Sequence, residues 1–134
     1  MTARHLVTGT DGEDAAARHL ASRGYRIVHR NWRHGRLELD IICRKEATIV
    51  FVEVKTRSRG ALQSPAEALT PAKRRTLVLA AQHFLTASGL WNSPSRFDLV
   101  AVVRDGDAYL VEHTENAFDL SEPVGGGNTA WQPW

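Results

Sequence analysis

The chain has one cysteine, Cys43, so an internal disulfide is excluded, and its place in an apolar segment points to simple burial. No apolar run approaches the ~20 residues a membrane-spanning helix requires. Met1 to Val7 lacks the apolar core of a signal peptide, so the expected location is the cytoplasm, away from any membrane. No Cys/His spacing suits zinc. The glycine triplet Gly125-Gly126-Gly127 lacks the strand–turn–helix setting of a phosphate loop. The six histidines are scattered, with no spacing that establishes a Ser-His-Asp arrangement.

What is present is an ordinary globular composition with an uneven charge. The 134 residues are 43% hydrophobic and 24% charged, enough for one self-supporting core. Residues 1–75 carry 15 Lys+Arg against 8 Asp+Glu, whereas residues 76–134 carry 2 against 7. Fourteen of the 17 basic residues are Arg, whose planar fork suits phosphate oxygens. Solvated basic faces explain such richness equally well, so the asymmetry alone only hints at a polyanionic partner.

Periodicity and punctuation give the order α-β-β-β-α-β-β. Residues 1–9 read as a loose lead-in. A helix opens at Thr10-Asp11-Gly12-Glu13, runs to about Arg23 on a stripe of Ala16, Ala17, Leu20 and Ala21, and ends at Gly24. Strands follow at 25–32, 37–43 and 48–56, the last two joined through Arg44-Lys45-Glu46-Ala47. That turn lacks the Asn or Gly of tight hairpins, so two registers stay open. Arg57 to Gln63 is a polar loop, and Ser64-Pro65-Ala66-Glu67 has capping-box spacing. A longer helix starts at Thr70-Pro71 and runs to about Ser88. Strands at 96–104 and 108–113 flank the turn Asp105-Gly106-Asp107. The expected organisation is one domain over residues 1–120 with a disordered tail at 121–134.

The segment Phe51-Val52-Glu53-Val54-Lys55-Thr56-Arg57-Ser58 carries the chemistry. Residues i and i+2 of a strand share a face, so Glu53 and Lys55 emerge side by side from a strand apolar on both faces. Buried ions must be paired or hold a metal. Asp40 on the preceding strand lies opposite Phe51 or Glu53, according to the register. Opposite residues are roughly 4.5–5.5 Å apart and diagonal ones roughly 7–8 Å, either of which one ion bridges. Two carboxylates, water and a substrate phosphate suit Mg²⁺ or Mn²⁺, with the Val54 carbonyl as a further ligand. Lys55 would orient the attacking water or stabilise charge on the phosphate. An exposed ion-pair stripe explains Glu53 and Lys55 alone; Asp40 tips the balance to a metal.

Other residues stay ambiguous. Thr10-x-x-Glu13 is itself a capping box, while Glu13 could also support the site from its helix. Glu38 is either a spare ligand or a solvated strand residue. Lys73, Arg74 and Arg75 fall in the first turn of the long helix, where cations oppose the macrodipole unless an anion relieves them. Together with Arg57 and Arg59 they are candidate phosphate contacts, with solvated basic residues as the alternative. Trp32 and Trp91 are expected to serve packing.

The stretches Gly12-Glu13-Asp14-Ala15-Ala16, Arg30-Asn31-Trp32-Arg33, Glu38-Leu39-Asp40-Ile41-Ile42, Phe51 to Arg57, Pro65-Ala66-Glu67-Ala68, Arg96-Phe97-Asp98 and Asn116-Ala117-Phe118 occur in one order. In that order they resemble the YraN family of small bacterial proteins, over residues 9 to 118 or so. That family is similar to archaeal Holliday-junction resolvases and the wider PD-(D/E)xK superfamily. The resemblance implies an α/β, restriction-endonuclease-like fold, a mixed central β-sheet flanked by helices. It also implies a metal site at Asp40, Glu53 and Lys55, with Glu13 as a helix-borne acid. Leu37 stands where the family usually has Gly, Lys45-Glu46 replaces its Asp-Gly turn, and Gln63 replaces a Gly.

The resulting expectation is a Mg²⁺- or Mn²⁺-dependent DNA endonuclease, with branched DNA among its substrates and a homodimer suited to a junction. The alternatives are a nucleic-acid-binding module that does not cut, and an adaptor that meets a partner through its acidic C-terminal half.

Overall fold

The computed structural model describes residues 2–6 (backbone only), 12–58, 60, 67 and 69–118. In chain order the elements are β1 (Thr2–Leu6), α1 (Gly12–Ser22), β2 (Arg26–His34), β3 (Leu37–Lys45), β4 (Thr48–Ser58), α2 (Pro71–Ala87), β5 (Ser95–Asp105) and β6 (Ala108–Phe118). The strands form one mixed sheet in the order β1-β6-β5-β4-β3-β2. β4 pairs antiparallel with β3 and parallel with β5. A parallel neighbour requires a crossover, and α2 supplies it.

The expected element order holds with one addition. Residues 2–6 form an edge strand, Thr2↔Glu112 through Leu6↔Ala108, in place of the expected loose lead-in. Thr-Ala-Arg-His-Leu has little strand character of its own. It is the open edge of β6 that provides its backbone partners, a tertiary effect that propensity does not register. The proposed cap at Thr10, the segment Ser64-Pro65-Ala66 and the tail from Ser121 lie outside the described residues.

β4 is central because both of its faces are apolar. Ile49 and Phe51 pack with Leu77, Val78, Ala81 and Phe84 of α2. Val50 and Val52 pack with Ala15, Ala16 and Leu20 of α1. Thr70 caps α2, its hydroxyl accepting from Lys73 N at 3.2 Å, and Pro71 occupies the first turn, where a missing N–H costs no helical bond.

α1 approaches the sheet closely because its buried stripe is alanine and because Gly12 begins it. A Cβ at Gly12 would lie 2.2 Å from Thr56 Oγ1 and 2.8 Å from its Cγ2. Gly12→Ala is therefore expected to destabilise the protein by about 1–3 kcal/mol through overpacking. Urea unfolding measures this, and adding Thr56→Ala to the variant should recover part of the loss.

Candidate metal centre

The β3–β4 hairpin closes with Lys45↔Thr48 around Glu46-Ala47 and runs to Ile41↔Val52. Glu46 takes the left-handed conformation (φ 56°) that a glycine or asparagine would adopt more cheaply. This fixes the open register. Asp40 and Glu53 are the next residues beyond Ile41↔Val52, so the two carboxylates meet across the strands. The Asp40 side chain substitutes for the ladder there, with Val54 N donating to its Oδ2 at 2.8 Å.

Glu53 is only 5% exposed. Its Oε2 lies 3.5 Å from Lys55 Nζ and 3.4 Å from Lys73 Nζ. Lys73 thus reaches inward from the first turn of α2, and the anion that relieves its conflict with the helix dipole is a protein carboxylate. Burial, then the negative charge of Glu53 and hydrogen bonding to it, push the Asp40 carboxyl up to about 6; the Val54 N–H and Lys73 pull the other way.

The donor set fits a hard divalent cation. Two oxygen-bearing side chains converge, one of them hard to ionise beside the other, and two ammonium groups already sit against Glu53. Among the described residues no third His, Cys, Asp or Glu joins them. Water and substrate oxygens would complete such a shell, as is usual for Mg²⁺.

The raised Asp40 pKa has a consequence for stability. An acid whose folded pKa lies above its unfolded value, 3.8 here, loses stabilisation as pH rises through the folded value, about 6. Asn at this position cannot ionise, still accepts from Val54 N, and can donate to Glu53. Asp40→Asn is expected to stabilise the metal-free protein by about 1–3 kcal/mol at pH 8 and by little at pH 4. Thermal unfolding in a chelator at the two pH values measures the difference.

The remaining candidates occupy varied positions. Glu13 is engaged by Arg30 of β2, whose Nε and Nη2 donate to Glu13 Oε1 at 3.3 Å. Glu38 pairs with Arg33 at the surface. Arg57 follows Glu53 and Lys55 at alternate positions of β4, half-buried, and its Nε has no hydrogen-bond partner among the described residues. Arg74 donates through Nε to Leu69 O at 3.0 Å and lies over the Phe118 ring. Arg75 is half-buried in the same turn. Arg59 falls outside the described residues. Trp32 packs edge-on against Phe84, as expected, whereas Trp91 is 49% exposed.

A second charged cluster was not anticipated. Asp98, 1% exposed on β5, accepts from Arg96 Nε at 2.9 Å and Nη2 at 3.2 Å, and from Asn116 N at 3.0 Å. His113 Nε2 lies 2.7 Å from its Oδ2. Burial alone would raise the Asp98 carboxyl, but His113, Arg96 and the Asn116 N–H hold it below the usual range. The signal was available, since Arg96-x-Asp98 is a same-face charged couple in an apolar strand, like Glu53-x-Lys55. Phe97 packs on the α2 side of the sheet, so Asp98 belongs to the α1 side, across the sheet from Phe51 and Glu53.

Comparison with known proteins places these residues in a family. A "UPF0102 protein" of Nitratidesulfovibrio vulgaris (strain DP4) is 55% identical over 134 residues, covering 100% of this chain and 99% of the relative. A "UPF0102 protein" of Porphyromonas gingivalis is 42% identical, covering 88% of each chain. Among solved structures, Pyrococcus furiosus SfsA in complex with Ca²⁺ is similar at 11% identity and a TM-score of 0.37, over 77% of this chain and 62% of that one. The model of the family described as "Uncharacterised protein family UPF0102" matches residues 12–102, a span that holds α1 and both strands bearing Asp40 and Glu53. With that match and relatives alike over nearly their whole length, the chain belongs to the UPF0102 family.

Proposed function

We propose that the protein is a divalent-metal-dependent DNA nuclease on a restriction-endonuclease-like fold, akin to the Holliday-junction resolvases. The observation that carries this is the meeting of Asp40 with Glu53 across the β3–β4 pair, with Lys55 and Lys73 both on Glu53 Oε2. Mg²⁺ or Mn²⁺ bound there would polarise a phosphate and acidify a water. Asp40 and Glu53 would hold that ion, Asp40 in its charged form. Lys55 would donate to the attacking water or to the phosphate oxygens. Lys73 keeps Glu53 pointing into the site in the absence of the ion. Arg57 contacts the DNA backbone, with Arg59 and Arg75 as further phosphate contacts.

The test is cleavage of end-labelled four-way junction and linear duplex DNA in Mn²⁺, by wild type, Glu53→Ala and Lys55→Ala. Cleavage by wild type that both variants lose supports the proposal. Equal activity in all three contradicts it. One observation favours a second reading, a nucleic-acid-binding module that does not cut: two ammonium groups already neutralise Glu53. Salt-sensitive DNA binding with no cleavage in any metal would select that reading.

A further inference from the structure

We propose that the open cavity at the C-terminal end of α1 binds a small phosphomonoester with an organic body about the size of a nucleoside. The cavity is about 330 Å³ and is lined by Arg23, Tyr25, Lys45, His113 and Glu115. It adjoins the Asp98 cluster, and the inference does not rest on the nuclease reading.

Three cations converge on this place. Arg23 and Lys45 line the cavity, and Arg96 borders it through Nη2, which donates to the Tyr25 hydroxyl at 2.6 Å. Asp98 offsets the charge of Arg96, with which it pairs at 2.9 Å and 3.2 Å, so the positive charge turned to the cavity is that of Arg23 and Lys45. The lining carries one carboxylate, Glu115, whose side chain is 62% exposed. Among the described residues Glu115 is held by long contacts, 3.2 Å from the Tyr25 hydroxyl and 3.7 Å from Arg96 Nη2. A loosely held carboxylate beside exposed Arg23 and half-buried Lys45 and Arg96 occupies the place an incoming oxyanion would take. A phosphate dianion, with more charge and three acceptor oxygens, can displace it.

The rest of the wall is aromatic. The Tyr25 and His113 rings meet edge to face at 5.4 Å between centroids, and both residues are buried. The Lys45 ammonium lies 5.0 Å from the Tyr25 centroid while donating to Arg23 O at 2.7 Å, which fixes its charge at the rim. A wall that sets cations beside aromatic rings suits a phosphate attached to an apolar or aromatic body, and the volume lies in the range of small-ligand sites.

Calorimetric titration of the full chain with adenosine 5′-monophosphate, inorganic phosphate and adenosine tests the assignment. The monophosphate should bind more tightly than inorganic phosphate, and adenosine should not bind measurably. Glu115→Gln keeps an acceptor for the Tyr25 hydroxyl and removes the competing charge, so it should tighten monophosphate binding roughly three- to tenfold. A purely structural Glu115 would give no tightening. Arg23→Ala should weaken binding by a similar factor, while Glu53→Gln, across the sheet, should leave it unchanged. No binding by either wild type or Glu115→Gln overturns the proposal, as does binding lost in Glu53→Gln but kept in Arg23→Ala. Equal affinity for the monophosphate and inorganic phosphate contradicts the role given to the Tyr25–His113 wall.

Discussion

Glu53→Gln is expected to lower metal-dependent cleavage by about three orders of magnitude or more while the protein stays folded. Losses of 10²–10³ follow from removing one positioned polar group, and larger ones from removing a member of a set that acts as a unit. Glu53 belongs to such a set, because Asp40, Lys55 and Lys73 all take their charge state or orientation from it. Gln is nearly isosteric with Glu, so packing at this 5%-exposed position is preserved. It also removes the charge that helps raise the Asp40 pKa, although burial still acts on that carboxyl. Cleavage kinetics, with circular dichroism to verify folding, separate this expectation from a purely structural role, in which cleavage and Tm would fall together.

The largest loss of stability is expected at a different residue. Asp98→Ala leaves Arg96 and His113 facing a buried gap, and breaking such a pair by removing one partner costs about 3–5 kcal/mol. It also frees the Asn116 N–H, which Asp98 Oδ1 accepts at 3.0 Å. Asn116 is left-handed (φ 53°), and β6 is irregular between its pairings with Phe97 and Leu99, so this hydrogen bond holds a bend in place. Because the Asp98 pKa is depressed in the folded protein, its contribution is full above the ordinary carboxylate range. It is lost as the pH falls through the depressed value. The stability gap between wild type and Asp98→Ala should therefore be widest near neutrality and narrow in acid. Urea denaturation at pH 7 and pH 3 measures it.

These two positions also show how far the sequence could be read. Glu53 and Lys55 stood out because an i, i+2 charged couple in a doubly apolar strand has few structural explanations, and Asp40 stood out because it belonged to the next strand over. Their meeting depends on a hairpin register that a Lys-Glu turn leaves open in the sequence and that the pairing of Ile41 with Val52 settles. Lys73 stands out in the sequence for its unfavourable place at a helix start, which by itself points to an anion outside the protein. The distance from residue 53 to residue 73, with a helix start intervening, hid the fact that both belong to one site. Asp98 is less legible although Arg96-x-Asp98 repeats the same pattern, since its other partners, His113 and Asn116, depend on the pairing of β5 with β6. The strand at residues 2–6 was invisible for a related reason, as its partner β6 lies over a hundred residues away in the chain. Local periodicity found the helices and the central strands; long-range pairing decided the rest.

Mn²⁺ binding measured by calorimetry at pH 6, on wild type and Asp40→Asn, tests the metal centre most directly. Wild type should bind one ion per chain and release protons as it does so, with affinity falling as the pH drops through about 6, where Asp40 takes up its proton. Asp40→Asn should bind at least tenfold more weakly, with that proton release gone. Equal Mn²⁺ affinity in the two proteins, or no binding by wild type, would contradict a metal centre at Asp40 and Glu53.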